Sequence, residues 1–164
     1  MTKIATICML TLLVLSSCKS GKMNWKTTDN KEYMVSYPKN WVWRSKTNDI
    51  LFRVVSPESS TTNVYLRELK LKHKDLDEFV MASIKYIDDN IPNNFLEKEK
   101  LEANNSTYYK VSYINVVRDV AYKHEQYIFT KNQKAYVISF NSANDKYEKE
   151  KIVGKQILNT FKLK

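Results

Sequence analysis

The sequence predicts an α+β fold, a mainly antiparallel β-sheet flanked by two principal helices. Three observations predict it. From Asn104 to Asn141 aromatic and β-branched residues recur at every second position: Tyr109, Val111 and Tyr113; Tyr127 and Phe129; Tyr136, Ile138 and Phe140. Side chains alternate across a strand, so each set shares one face, and these residue types suit a pleated, half-buried surface. The polar break Lys131-Asn132-Gln133-Lys134 marks a hairpin, so the stretch reads as an antiparallel meander. The second observation is a change of period after Asp75, where Leu76, Phe79, Val80, Ile84, Ile87 and Ile91 fall on one helical face. The third is a second such stripe from about Asp145 to Phe161, carrying Tyr147, Gly154, Ile157, Leu158 and Phe161.

Taken in order, the chain opens on Lys3 and an apolar run from Ile4 to Leu15, too short to span a bilayer as a stable helix. Leu15-Ser16-Ser17-Cys18 follows at once and resembles the lipobox of bacterial lipoproteins. The resemblance implies a signal peptide over residues 1–17, cleavage before Cys18, and a lipid anchor on that cysteine: a diacylglyceryl thioether, usually with an acylated amino group (palmitate or a similar chain). It places the protein in a bacterial cell envelope, with the membrane as a partner. In a Gram-negative cell Lys19, rather than an aspartate, fits sorting to the outer membrane. Residues 18–30 form the lipidated cysteine and a polar tether. Lys19 to Asn30, fully extended, would reach about 40 Å. Trp25 interrupts this tether and belongs either on the fold or at the lipid interface.

The folded part is expected over residues 31–164. Tyr33, Val35 and Tyr37 alternate as a strand. Pro38-Lys39-Asn40 turns it, because proline presets the first turn dihedral and asparagine tolerates a left-handed position. Trp41-Val42-Trp43 begins the return strand. Ile50–Val55 and Asn63–Leu69 are two more strands, separated by Ser56-Pro57 and a polar loop. Asp75 with Glu78 three residues on resembles a capping box, and Pro92 stops the helix that follows. From Phe95 to Glu102, Glu97 and Glu99 point one way and Lys98 and Lys100 the other, as on an edge strand whose charges discourage edge-to-edge pairing. Asn104-Asn105 turns into the meander. In the closing helix Gly154 costs about 1 kcal/mol relative to alanine, which a close approach of helix to sheet would explain. Leu76, Phe79, Ile84, Ile87, Ile157 and Phe161 are expected in the core.

This order of elements, with Tyr37-Pro38-Lys39-Asn40-Trp41, Gln126-Tyr127, Tyr136-Val137-Ile138-Ser139-Phe140 and Ile157-Leu158-Asn159-Thr160-Phe161, resembles the photosystem PsbP/Mog1-type domain over about residues 31–163. The resemblance implies helices on both faces of an antiparallel sheet, an α/β/α sandwich. It also implies a binding, chaperone or assembly role rather than catalysis, although a shared fold is only a prior on function. Where such sequences often carry glycine after the tyrosine-proline turn, this one has Asn40, and the turn at Asn132 also lacks glycine.

Composition narrows the chemistry. The chain has 164 residues, enough for one domain, and only two glycines, Gly21 and Gly154, which excludes a glycine-rich phosphate loop and a dinucleotide fingerprint. Of the two cysteines, Cys8 lies in the leader, so Cys18 stands alone and makes neither an intrachain disulfide nor a thiolate zinc site. The formal charge is +9; removing residues 1–17 takes away Lys3 alone, leaving 26 − 18 = +8. The export signal argues against a nucleic-acid partner, so the charge reads as a solvated surface or as attraction to an anionic partner or membrane.

Neither His73 nor His124 has a second histidine or cysteine at ligand spacing, and no metal or cofactor is expected. Asp88-Asp89-Asn90 lacks the alternating carboxylates and glycine of a calcium loop. No nucleophile elbow occurs. Tyr33, Tyr37, Trp41 and Trp43 could line a groove, though aromatics alternating on strands more often fill a core. Two functions stay open: a non-catalytic envelope lipoprotein binding a protein or apolar partner, and a small-ligand binder or enzyme whose site carries no motif.

Overall fold

The computed structural model describes residues 23–44, 49–71, 75–91, 96–103 and 106–164. The leader, Cys8 and Cys18, the first residues of the tether, His73, Pro92, Phe95 and the Asn104-Asn105 turn lie outside the described residues. Among the described residues ten strands and two helices follow one another: β1 (Trp25–Asp29), β2 (Tyr33–Pro38), β3 (Val42–Trp43), β4 (Ile50–Val55), β5 (Asn63–Lys70), α1 (Leu76–Asn90), β6 (Glu97–Ala103), β7 (Ser106–Val117), β8 (Val120–Lys131), β9 (Lys134–Ala143), α2 (Asn144–Thr160) and β10 (Lys162–Leu163).

Seven strands form one sheet in the order β3-β4-β5-β9-β8-β7-β6, every neighbouring pair antiparallel. The meander is its centre, and charged β6 is an edge, as its alternating carboxylates and lysines require. Both tight turns of the meander hold two residues with positive φ, Arg118 and Asp119, then Asn132 and Gln133. That is the backbone a two-residue hairpin needs to match strand twist, reached here without glycine.

The helices lie on opposite faces. Val111, Ile128 and Val137 meet Val80 and Ile84 of α1. Their neighbours in the strands, Tyr127, Tyr136, Ile138 and Phe140, meet Tyr147, Ile157 and Leu158 of α2. Because alternate residues point to alternate faces, the two clusters are the two sides of one sheet. Asp75 caps α1, its side chain accepting from the Glu78 amide at 2.8 Å. The glycine on α2 serves the close approach its position suggested, since Gly154 lies against the Phe140 ring.

Three expectations are corrected. The stretch expected as tether up to Asn30 is a strand from Trp25 to Asp29, paired with β2 from Trp25 opposite Pro38 to Asp29 opposite Met34. Trp25 therefore lies on the fold. Second, Trp41-Val42-Trp43 does not return along β2. The turn forms, with the Trp41 amide donating to the Pro38 carbonyl at 3.0 Å. However, β1 and β10 already occupy both edges of β2, so β3 crosses to the large sheet and pairs with β4. A small three-stranded sheet, β1-β2-β10, thus completes the core around α2. Third, of the six residues expected in the core, Ile84, Ile87, Ile157 and Phe161 are buried while Leu76 and Phe79 are half-buried, because α1 covers only part of its face of the sheet.

Candidate binding site

Alternation on the central strands builds the site. On β9 the residues that follow Val137 on the α1 face are Ser139 and Asn141; on β8 those that precede Ile128 are Gln126 and His124. Register then lines them up across the sheet. Arg53, Tyr65, Ser139 and Gln126 form one cross-strand row, and Asn63, Asn141, His124 and Tyr113 the next. The fifteen residues of α1 span about 22 Å and pack on the row holding Val137, Ile128 and Tyr109. Beyond it the floor of the sheet is polar.

Two hollows adjoin on this face and share Tyr65. The first is a cleft of about 420 Å³ between α1 and β5, walled by Leu69, Phe79, Ala82, Ile87, Ile128 and Val137. Tyr86, which is exposed, stands at its rim together with Arg67. Asp49 occupies the Arg67 guanidinium, accepting from Nε at 3.0 Å and from Nη2 at 2.6 Å. The second hollow, about 320 Å³, lies where the β7–β8 hairpin meets β4 and β5, and Ile50, Arg53, Val117, Tyr122, His124 and Asn141 line it.

His124 is fixed from two sides. Its ring stacks on Tyr113, with centroids 4.5 Å apart and planes within 6°. Its Nδ1 donates to Asn141 Oδ1 at 2.6 Å. Burial pushes the imidazole pKa down and the Asn141 bond opposes that, so the ring is neutral at pH 7 and Nε2 is an acceptor. Burial likewise pushes the Tyr113 hydroxyl up to about 12. His124 Nε2, Arg53 Nε and Ser139 Oγ are all buried with no hydrogen-bond partner among the described residues. In folded proteins such atoms are almost always paired, with protein, water or a ligand.

A catalytic reading of His124 needs an acid to orient it and a nucleophile on its other nitrogen. The structure gives it Asn141 instead of an acid. The buried carboxylate beside it in sequence, Glu125, points to the α2 face, where it accepts from the Tyr147 hydroxyl at 3.0 Å and pairs with Lys155 at 3.1 Å. Glu150 is also buried there, accepting from Ser56 Oγ. These carboxylates hold α2 to the sheet and line neither hollow.

The other sequence candidates lie elsewhere. Tyr33, Tyr37 and Trp41 are in the core, and Trp43 is half in solvent with its edge against Phe52; these four aromatics do not form a groove. Asp89 pairs with Lys85, one turn back on α1. Among the described residues no group of three or more His, Cys, Asp or Glu side chains is placed to hold a metal, and no helix is long and apolar enough to cross a membrane. Arg53, Ser139 and Asn141 are the site residues that sequence reasoning missed. The available signal was Ser139 and Asn141, polar on one face of a strand whose other face carries Tyr136, Ile138 and Phe140.

Similar architecture occurs among solved structures. Cyanobacterial PsbP (CyanoP) from Synechocystis aligns with a TM-score of 0.66 at 15% identity, covering 92% of this chain and 99% of that one. A protein of unknown function from Pseudomonas aeruginosa, described as a putative regulator, gives 0.60 at 10% identity, over 83% and 94%. LpqN, involved in cell envelope biogenesis of Mycobacterium tuberculosis, gives 0.59 at 8% identity, over 87% and 91%. No protein-family model matches the sequence, and no curated protein matches it. At these identities the likeness is one of fold: the chain has the PsbP-like α+β architecture that the spaced aromatics implied.

Proposed function

We propose that this chain is a non-catalytic accessory protein of the bacterial cell envelope, anchored by lipid on Cys18, which holds a protein or apolar partner in the cleft beside α1. The observation that carries the reading is the cleft itself. It has apolar walls from both helix and sheet, and a large hollow with apolar walls and a few polar groups is where partners and ligands most often bind. The PsbP-like fold supports it by analogy, as does the envelope role of LpqN. In this account residues 1–17 are removed, and the tether between Cys18 and β1 is shorter than the sequence suggested. A short tether holds the cleft near membrane-bound partners and raises their effective concentration without new contacts.

The reading is tested in two steps. Cys18→Ala should abolish lipid labelling and release the chain from the membrane fraction. Ala82→Arg, which places a charge in the mouth of the cleft, should leave anchoring unchanged and remove the partner recovered by crosslinking. Retention of lipid in the first variant, or of the partner in the second, would contradict the proposal.

A further inference from the structure

We propose that the hollow between β4, β5 and the β7–β8 hairpin is a binding site for a small carboxylic acid that carries an apolar body and a hydrogen-bond donor. The inference deepens the reading of the α1 face as a binding surface and rests on that face being open in the native protein.

Three features assign the ligand chemistry. The first is charge. Arg53 lines the hollow, its Nε–H is buried and unpartnered, and it makes no ion pair among the described residues. All 18 acids of the chain fall within those residues, and none lines the hollow. Arg67, the arginine two residues away in the cross-strand pattern, has its fork filled by Asp49. Arg53 therefore keeps an Nε–H without a partner among the described residues, on a planar guanidinium whose fork matches a carboxylate.

The second feature is His124 Nε2. With Nδ1–H committed to Asn141, Nε2 offers a lone pair, so its partner must bring an N–H or O–H. The Tyr113 ring holds the imidazole plane, so the acceptor direction is set before binding. Ser139, fully buried with its hydroxyl unpartnered, stands in register between Tyr65 and Gln126, one cross-strand row from His124. The third feature is the wall. Ile50, Val117, Tyr65 and Tyr122 give the hollow an apolar lining, and Val117, left 47% exposed by the fold, gains cover when the hollow fills. One guanidinium and one neutral imidazole on the same hollow balance a monoanion, which favours a carboxylate over a doubly charged phosphate. An N-acylated amino acid has the required parts: a carboxylate, an amide N–H beside it and an apolar side chain.

The test uses N-acetyl-leucine, its neutral amide N-acetyl-leucinamide, and isovalerate, which keeps the carboxylate and apolar body and lacks the N–H. Each is titrated into the full chain in mild detergent. N-acetyl-leucine should saturate below about 10 mM and bind about tenfold or more tighter than its amide. Arg53→Met should abolish that preference, and Arg53→Lys should restore part of it. His124→Phe should weaken N-acetyl-leucine and leave isovalerate unchanged. In the unmutated protein N-acetyl-leucine should shift the His124 Nε2 resonance, a readout independent of whether any variant folds. Absence of saturation, equal binding of acid and amide, or an unmoved His124 resonance would overturn the assignment and mean that water satisfies these atoms. None of those results touches the cleft beside α1, which is tested separately by crosslinking.

Discussion

Gly154 on α2 lies against the ring of Phe140 on β9: a Cβ placed on the glycine would stand 2.4 Å from Phe140 Cδ2. Helix propensity alone makes Gly154→Ala favourable by about 1 kcal/mol. Phe140 is fully buried and cannot swing clear, and overpacking of that kind costs about 1–3 kcal/mol or more. The contact should win. Urea unfolding should show Gly154→Ala less stable than the parent by up to about 2 kcal/mol; a gain in stability would mean that helix and sheet separate freely here.

The two phenylalanines expected in the core should part company. Phe161 is 6% exposed and packs on Phe129 and Tyr33. Phe161→Ala should cost about 3–5 kcal/mol. Phe79 is half-buried on the wall of the cleft, so Phe79→Ala should cost roughly half as much. Equal losses in denaturant titrations would place α1 more deeply on the sheet than the structure does.

Gln133 turns the β8–β9 hairpin with a φ of 60°, behind Asn132 at 52°. A left-handed backbone costs a residue with a Cβ about 1–2 kcal/mol, while glycine loses about 0.5–1 kcal/mol of extra chain entropy. Gln133→Gly should therefore raise stability by about 0.5–1 kcal/mol. A lower unfolding midpoint would show that the Gln133 side chain makes a contact outweighing the backbone strain.

Stability should fall on mild acidification because of His124. Its folded pKa is lowered, chiefly by burial, so near pH 6.5 the unfolded chain takes up a proton that the folded one refuses. The folded state loses ground as pH drops through that value and stops losing once the folded pKa is passed. Asp77 and Glu148, held low by Lys100 and Lys151, titrate below this window. Urea midpoints at pH 7.5 and 5.5 should differ less in His124→Gln than in the parent; an unchanged difference would place the proton elsewhere.

How much of this was legible before the structure follows from where the information lies. The stripes of α1 and α2, the Asp75 cap and the meander are local patterns, and Gly154 on an inner stripe pointed to the close packing found there. The strand at Trp25–Asp29 was not legible. Its Lys-Thr-Thr centre has no apolar face, and its place is set by the open edge of β2. The same occupied edges send Val42–Trp43 to another sheet. Of the site, His124 was visible as a histidine without a partner. Arg53 and Ser139 meet it only through cross-strand register, which the sequence does not display.

The most direct test of the cleft is photocrosslinking in the intact cell. Tyr86 at its rim and Ile152 on α2 are matched in exposure, 66% and 65%, and belong to helices on opposite faces of the large sheet. A photoreactive side chain placed at each in turn should give a discrete adduct from position 86 that is absent from position 152 and is lost with Ala82→Arg. Equal adducts from both positions, or none from position 86, would contradict the assignment of this face as the one that holds a partner.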